Sequence, residues 1–519
     1  MESLVNTLND ILWGPWFIYG ILLIGLFFSI ITRFLQVRYI KEMFVLMFKG
    51  QKSEKGISSF QAVSIALSGR VGTGNIAGTA TAIGMGGPGA VFWMWAIAFI
   101  GAATAYVEST LAQIYKEERE TEYRGGPAFY IEKGMGQKWF AVIFAVAALI
   151  AMLILMPGVQ ANAIAGAMDN AFGIEQWITG LIIAALLGVI IIGGVKSIAN
   201  AAQIIVPFMA IAYVIMALII IVMNISEVPS VIALIFSSAF GAQELFGGIV
   251  GSAIAWGVKR GIYSNEAGQG TGAHPAAAAE VSHPAKQGLV QAASVYIDTL
   301  LVCSATAFMI LFTGMYNVHD ESLDKVQVMV EGEPLEVNGE PYTIHPTIFT
   351  GEFGQGKYTG DAQISFAQSI KEGATYTQYA VESSLPGFGS PFVAIALFFF
   401  AFTTIMAYYY IAETNVAYLL SGKNEKIAIW IAKIVILIAA FYGTIRTSDI
   451  AWGMGDVGLG LMVWINVIAI LIIMKPAIIA LKDYEKQKKE GKDPVFDPRP
   501  LGIKGADFWI KYSEKNKEK

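Results

Sequence analysis

The stretch Ser68-Gly-Arg-Val-Gly-Thr-Gly-Asn75 lies inside a long apolar segment, residues 57–84, and it carries three glycines, one charge and three polar side chains. A continuous helix through it would bury an arginine at membrane depth and lose much helix propensity. Non-helical backbone persists in a bilayer only where it is buried in protein or lines a cavity, because its freed polar groups need partners. The stretch therefore predicts a spanning helix that is interrupted midway.

The rest of the chain is rich in apolar segments of the length that a bilayer requires, about 20 residues. Hydrophobic residues make up 55% of the 519 residues and charged residues only 14%, which is a membrane-like balance. We expect an all-α polytopic membrane protein with eleven transmembrane helices, at about 11–33, 57–84, 89–114, 139–168, 176–194, 200–223, 243–262, 287–314, 388–420, 427–444 and 452–474.

Lysine and arginine predict the orientation of these helices. Basic residues cluster in the loops after the first and third segments and in the tail beyond Lys475. By the positive-inside rule these parts belong on the cytoplasmic side. We therefore expect the N-terminus outside and the C-terminus in the cytoplasm.

Composition also limits the chemistry and the partners. The net charge of −5 gives no basic surface for nucleic acid. One cysteine, Cys303, and four histidines, all in loops, leave little material for a zinc site or for a base beside a nucleophile. No cofactor is expected. A channel, whose pore several chains would build, or a membrane-embedded enzyme remains the alternative hypothesis.

A second weak point, Gly247-Gly-Ile-Val-Gly-Ser-Ala-Ile-Ala-Trp-Gly257, lies in the seventh segment and predicts a second interruption. The alternative is that both stretches are small-residue packing faces. If the first helix is an extra one, the other ten form two sets of five, each starting with an interrupted helix, and the two sets enter the membrane from opposite sides. This arrangement is a 5+5 inverted repeat, as in secondary transporters with a midplane site.

The chain divides accordingly. Residues 1–56 hold the extra helix and a basic loop, 57–223 the first repeat, and 224–314 with 388–474 the second repeat. Residues 315–387 are acidic, with short strand and turn signals, and are interpreted as an extracellular loop insertion, either tolerated or involved in substrate selection. Residues 475–519 form a charged cytoplasmic tail.

Three motifs resemble the alanine or glycine:cation symporter family. They are Val71-Gly-Thr-Gly-Asn-Ile-Ala-Gly78, Gly86-Gly-Pro-Gly-Ala-Val-Phe-Trp-Met-Trp95 and Gly261-Ile-Tyr-Ser-Asn-Glu-Ala-Gly268, with Phe402-Thr-Thr-Ile405 resembling the family's ninth span. The resemblance covers nearly all of the hydrophobic chain, and the long 315–387 loop departs from it. It implies the leucine-transporter fold, a bacterial or archaeal inner membrane, and uptake of alanine or glycine coupled to Na⁺, or to H⁺. The choice among alanine, glycine, serine and glutamine, the chirality of the substrate and the oligomeric state stay open.

The resemblance also implies two sites. A Na⁺ site would be formed by the carbonyls of Ser68 and Val71 and the hydroxyls of Thr403 and Thr404. Such neutral hard oxygens suit a monovalent ion that must leave again. The substrate carboxylate would bind at Thr73, Gly74 and Asn75, and the ammonium at backbone carbonyls of the second weak point, which includes Gly247, Gly248 and Gly251.

Several side chains have candidate roles with a structural alternative. Gln160, beside the Pro157-Gly158 irregularity, would contact the substrate or form a helix–helix hydrogen bond. Trp256 would wall the pocket or simply pack. Arg70 needs a partner at membrane depth, and Asp298 and Glu413 are the candidates, with a possible role as a cytoplasmic gate.

Overall fold

The computed structural model describes residues 2–49, 56–119, 122–241, 250–314, 373–420 and 423–517, with Tyr316 and short strand segments between 317 and 357. Helices dominate these residues. The first twelve are α1 (Glu2–Leu12), α2 (Pro15–Ile31), α3 (Leu35–Arg38), α4 (Ile40–Phe48), α5 (Ser59–Arg70), α6 (Thr79–Gly86), α7 (Gly89–Ile114), α8 (Pro127–Tyr130), α9 (Lys138–Ile150), α10 (Met156–Phe172), α11 (Gln176–Ile192) and α12 (Gly194–Met223).

The remaining helices follow in the second half of the chain. They are α13 (Val228–Ala239), α14 (Val250–Asn265), α15 (Ala273–Ala278), α16 (Pro284–Val295), α17 (Ser304–Thr313), α18 (Ala374–Ser384), α19 (Gly389–Leu419), α20 (Lys423–Thr444), α21 (Ser448–Ile473), α22 (Lys475–Lys489) and α23 (Asp507–Lys517). Wider π-helical turns, Ala151–Leu155 and Tyr296–Cys303, join α9 to α10 and α16 to α17.

Within the described residues, seven helical segments are long and apolar enough to cross a membrane, and an eighth is added if α1 and α2, which meet at 41°, count as one span. The seven are Gly89–Ile114, Lys138–Phe172, Gly194–Met223, Pro284–Thr313, Gly389–Leu419, Asn424–Thr444 and Ile450–Ile473. The all-α polytopic class is thereby confirmed. The arrangement of eleven helices in two inverted repeats stays a prediction, because the other expected spans are interrupted, short or only partly described.

The first interruption lies where the sequence predicts it. Helix α5 begins at a capping box, in which Ser58 and Gln61 bond reciprocally, and it ends at Arg70. Val71 and Gly72 leave the helical path, helical backbone resumes at Thr73, Gly74–Gly78 form a π-helical turn, and α6 continues from Thr79. Every residue from Ser68 to Thr79 is buried, so the freed backbone groups lie inside protein, as a bilayer demands.

The second interruption lies just beyond the expected span, 243–262, and outside the predicted stretch, 247–257. Val250–Asn265 is one unbroken helix, so the described part of 247–257 is helical, and Gly247 and Gly248 lie outside the described residues. The helix breaks instead at 266–272, where Glu266, Gly268 and Gly270 have φ of +53°, +90° and +84°. Gly257 serves packing, since a methyl group there would lie 2.6 Å from Cβ of Trp93 on α7.

The two interrupted helices lie side by side within the bundle. The turn Gly74–Gly78 contacts α14, α18 and the turn Tyr296–Cys303, while α5 packs on α12, α16 and α19. A methyl group at Gly74 would lie 3.1 Å from Cα of Ser264, one residue before the end of α14. Glycine at this position therefore brings the two interruptions into backbone contact.

Shorter elements cover the two ends of the bundle. At the end of the bundle from which residues 315–387 extend, α13 packs on the start of α7, and α18 packs on α17, α19 and the turn Gly74–Gly78. The strand signals between 315 and 387 are confirmed as short antiparallel pairs, such as Val326–Gln327 with Thr343–Ile344 and Glu336–Val337 with Glu340–Pro341. At the other end, which we call the basic end, lie α3, α4, α22, α23 and the strand pair Glu117–Glu118 and Tyr123–Arg124.

One helix crossing is closer than any side chain allows. A methyl group at Gly443 on α20 would overlap Cα of Gly158 on α10 and lie 2.6 Å from the Gly158 carbonyl oxygen. Small residues let transmembrane helices approach this closely. Gln160 lies two residues after Gly158 on α10, so this contact fixes where the Gln160 side chain lies along the bundle.

We expect Gly443→Ala to destabilise the protein by about 1–3 kcal/mol, since added atoms must push two backbones apart. The measurement is the thermal unfolding midpoint in detergent. Gly166→Ala on α10 is the matched control, because no atom lies within 4 Å of a methyl group there. Equal midpoints for the two variants would contradict the close crossing.

Candidate functional site

The site is built from backbone groups that the first interruption frees. The Gly72 N–H donates to Oδ1 of Asn75 at 2.8 Å, and the Thr73 N–H donates to Oε1 of Gln160 at 3.1 Å. Both acceptors are buried side chains. A local side chain and a side chain from α10 therefore replace the helical hydrogen bonds that the break removes.

Gln160 is the one predicted side-chain contact that joins three elements. Its amide nitrogen lies 3.4 Å from the hydroxyl of Tyr408 on α19, while its oxygen accepts from Thr73. The structural alternative given for Gln160, a hydrogen bond between helices, is thus present, and it lies directly at the interruption. A role in binding substrate stays a prediction.

Of the four residues predicted for Na⁺, Ser68 and Thr404 are in direct contact. The Thr404 hydroxyl lies 2.8 Å from the carbonyl oxygen of Ser68 and 2.9 Å from that of Phe400. Val71 is buried at the break itself. The Thr403 hydroxyl shares the Phe400 carbonyl oxygen, at 3.0 Å, but its other neighbour is the sulfur of Met209 on α12, at 4.0 Å, instead of the Ser68 carbonyl.

Asp298 connects the two interruptions. Its carboxylate accepts from the Asn75 amide at 2.6 Å, from the Ser264 hydroxyl at 2.9 Å and from the Thr299 hydroxyl at 2.7 Å. Asn75 belongs to the first interrupted helix and Ser264 to the end of α14. Cys303 lies against the same two residues, with its sulfur 3.3 Å from the Asn75 amide and 3.1 Å from the Ser264 hydroxyl.

Arg70 does not pair with either of its predicted partners. Its guanidinium contacts the hydroxyl of Ser294 and, at 3.2 Å, the carbonyl oxygen of Gln291 on α16. Within the described residues no carboxylate oxygen lies within 4.0 Å of it, and Nε and Nη2 have no hydrogen-bond partner. The pairing prediction is wrong because Asp298 is already taken up by Asn75 and Ser264, and Glu413 is engaged elsewhere.

Glu413 pairs with Arg124 at the basic end. Nη2 of Arg124 lies 3.0 Å from Oε1 of Glu413 and also contacts Glu122. The side chains of Arg124 and Glu413 are 7% and 9% exposed, so this is a largely desolvated pair. It closes one side of a cavity of about 330 Å³ that Ile57, Val195 and Ala278 also line.

Gly251 and Trp256 lie on α14 before the turn that contacts Gly74, and their roles in binding substrate stay predictions. Gly251 is exposed, with no atom within 4 Å of a methyl group placed there. The Trp256 ring stands over Lys259 and Arg260, at 5.3 Å and 5.2 Å from its centre. Both residues lie in the unbroken part of α14, whose last turn rather than its first approaches Gly74.

Sequence reasoning missed a group of polar residues at the second interruption. Glu266 accepts from the Thr271 hydroxyl at 2.7 Å, and Glu108 on α7 accepts from the Gly270 N–H at 3.1 Å and from the Asn466 amide at 3.0 Å. One oxygen of each carboxylate is buried without a hydrogen-bond partner. The glycine pair Gly268 and Gly270 beside an acid in an apolar region was the available signal.

A polytopic bundle with two interrupted helices that meet at buried polar groups defines the class of membrane transporters. Comparison with known proteins supports this class. The model of the sodium:alanine symporter family matches residues 1–341 and 359–498.

Curated relatives extend along almost the whole chain. A Bacillus subtilis protein, provisionally named a sodium/proton-dependent alanine carrier, is 63% identical over 98% of both chains. The sodium/proton-dependent alanine carrier of Bacillus sp. PS3 is 53% identical over 90% of this chain and 97% of its own. The sodium/alanine symporter of Methanococcus maripaludis is 34% identical over 95% and 99%. The chain belongs to the sodium:alanine symporter family, whose members here are named as transporters and carriers rather than enzymes.

The contacts of Gly72 give a sharp test of the site. A methyl group there would overlap the Thr404 hydroxyl and lie 2.9 Å from Oε1 of Gln160. We expect Gly72→Ala to lower substrate uptake about tenfold or more, because the crowding costs more than about 1.4 kcal/mol. Gly78→Ala is the matched control, since its nearest neighbours lie at 3.8 Å. Uptake is measured at equal amounts of folded protein. Equal uptake by the two variants would contradict a site at Gly72.

Proposed function

We propose that this protein is a secondary active symporter that takes up a small neutral amino acid, alanine or glycine, together with Na⁺ by alternating access. H⁺ is the alternative coupling ion. The observation that carries the proposal is the first interruption, where the Ser68 carbonyl and the N–H groups of Gly72 and Thr73 bond the side chains of Thr404, Asn75 and Gln160. Such backbone can exchange those partners for a substrate and an ion.

The proposed substrate site lies where the two interruptions meet. The N–H groups of Thr73, Gly74 and Asn75 begin the second half of the first interrupted helix, and a helix N-terminus favours a carboxylate. The last turn of α14, near Ser264, is the C-terminal end of a helix, whose partial negative charge suits an ammonium. The close approach of Gly74 to Ser264 leaves little room for a substrate side chain, which supports alanine and glycine.

The proposed Na⁺ site keeps Ser68, Val71 and Thr404 and gives Thr403 less weight. Thr404 already contacts the Ser68 carbonyl, so its hydroxyl and that carbonyl are positioned to share an ion. Asp298 supplies a carboxylate that contacts both interrupted helices, through Asn75 and Ser264. A carboxylate within a spanning segment suits a coupling cation, whether Na⁺ or H⁺.

The experiment is uptake of labelled alanine into proteoliposomes with and without an inward Na⁺ gradient, and with an inward H⁺ gradient alone. The proposal expects accumulation against the alanine gradient when an ion gradient is present. Uptake that is equally fast and merely equilibrates under all three conditions would contradict coupled transport.

The threonine pair separates the ion site from general packing. We expect Thr404→Ala to raise the Na⁺ concentration for half-maximal uptake several-fold, because it removes a hydroxyl beside the Ser68 carbonyl. Thr404→Ser, which keeps the hydroxyl, should stay near the parent value. Thr403→Ala is the neighbouring control, and a larger shift for Thr403→Ala than for Thr404→Ala would contradict this placement of Na⁺.

Substrate size is tested by competition. A Bacillus subtilis relative, 40% identical over 96% of this chain, is provisionally named a sodium/glutamine symporter, so glutamine belongs in the panel. We expect unlabelled L-alanine and glycine to suppress uptake of labelled alanine, serine to do so less, and glutamine not at all. D-alanine in the same panel reports chirality. Strong competition by glutamine would contradict a pocket limited by Gly74 and Ser264.

A further inference from the structure

Residues 475–517, which we call the strap, run from the end of α21 across the basic end of the bundle. They comprise α22, a connecting segment and α23. The strap is charged overall but buries four aromatic side chains, Tyr484, Phe496, Phe508 and Trp509, of which Phe496 and Trp509 are fully enclosed. A merely solvated tail would not bury its aromatic residues in this way.

The strap binds the segment that follows the second interruption. The Phe496 N–H donates to the Ser282 carbonyl at 3.0 Å, and the Ser282 hydroxyl donates to the Pro494 carbonyl at 2.8 Å. Lys286 pairs with Asp493 at 2.6 Å. His283, which caps α16, is buried between the rings of Tyr484 and Phe496 and lies 3.2 Å from Asp483.

The strap also binds the end of α7. The Trp509 indole donates to the Gln113 carbonyl at 2.7 Å, and the Gln113 amide donates to the Ala279 carbonyl at 2.8 Å. Lys116 is buried against the rings of Tyr123, Phe508 and Trp509, at 4.7, 4.5 and 5.3 Å from their centres, and bonds the Ala279 carbonyl at 2.9 Å. Burial lowers the pKa of Lys116 to about 7, while these rings favour its charged form.

These contacts converge on residues 273–286, which include α15 and the start of α16. That segment begins directly after the interruption at 266–272, and it is held to α7 on one side and to the strap on the other. Any opening of the site toward the basic end by movement of this segment must break the contacts of Ser282 and Lys286 with the strap. It must also break the bonds of Gln113 and Lys116 to the Ala279 carbonyl, and Trp509 holds these two residues from the strap side. The strap therefore favours the state in which that path is closed.

We propose that the strap is a brake on access from the basic end, which adjusts how often the central site opens there. The proposal rests on the proposed function, because alternating access gives this opening its purpose. It assigns a role to Trp509 and Asp493 that is separate from substrate and ion binding, since neither residue contacts the central site.

Cys303 provides the readout. It is the chain's one cysteine, it is buried, and it contacts Asn75 and Ser264 at the centre of the site. Its rate of reaction with a water-soluble maleimide, applied to the basic end in membrane vesicles or to protein in detergent, reports access without requiring transport.

The test compares Trp509→Ala, Asp493→Ala and a chain that ends after Lys489, with Trp139→Ala as the matched control. Trp139 is 64% exposed at the start of α9, and its indole bonds the neighbouring Gln137 side chain. We expect Trp509→Ala and the truncated chain to raise the Cys303 labelling rate roughly threefold or more, because losing the contacts shifts the population of the open state. Asp493→Ala, whose side chain is 73% exposed and safe to change, should give a smaller rise. Trp139→Ala should match the parent.

Two further measurements keep the outcomes distinct. Alanine exchange should quicken in the same order as labelling, and a single symmetric gel-filtration peak identifies folded variants. Parent-like labelling in folded Trp509→Ala and Asp493→Ala would overturn the brake. A faster labelling rate in a protein that takes up no amino acid would support the brake while overturning the proposed function.

Discussion

Main-chain polar groups that leave a helix inside a bilayer must find partners in protein, and this constraint organises the centre of the molecule. Three of them are met by Asn75 from the same segment, Gln160 from α10 and Thr404 from α19. Each partner is a neutral group with a short reach, so the three helices must stand at fixed distances from the break. The bundle around it follows from that requirement, since α10 and α19 contact each other as well.

The buried charges around Arg70 also find partners within the protein, but through hydrogen bonds and not through ion pairs. Three buried carboxylates, Glu108, Glu266 and Asp298, surround the region of Arg70, yet within the part of the chain that the structure describes none forms an ion pair with it. Hydrogen bonds from Asn75, Ser264, Thr271 and Asn466 stabilise the carboxylates instead. Around Arg70, three carboxylates face one guanidinium, and such a local excess of acid in a low-dielectric interior favours the uptake of cations or protons. This agrees with a family of cation-coupled carriers.

The sequence predicted the membrane class and the first interruption because both depend on local composition. Near Ser68 and Asn75 a small-residue packing face would explain the glycines but not the charge and the polar side chains. It failed at the second interruption because glycine has two uses there. Gly257 permits close helix packing, whereas Gly268 and Gly270 supply left-handed backbone, and only the three-dimensional contacts distinguish the two uses.

Pairings between distant segments were the hardest to predict. By charge alone, Asp298 and Glu413 were reasonable partners for Arg70. Glu413 pairs instead with Arg124, which lies in a short loop where no sequence pattern indicates a partner. The burial of the tail was missed for a similar reason. The composition of residues 475–519 indicates only a charged tail, and nothing in the sequence shows that Gln113 and Lys116 face Trp509 and Phe508.

The contact between Gly158 and Gly443 has a mechanical meaning. Because the two backbones touch with no side chain between them, α20 cannot move toward α10 at this crossing without moving α10 as well. Gln160 lies two residues after Gly158 on α10. A tilt of α20, which carries none of the predicted site residues, would therefore move Gln160 and, through its hydrogen bond, the Thr73 backbone.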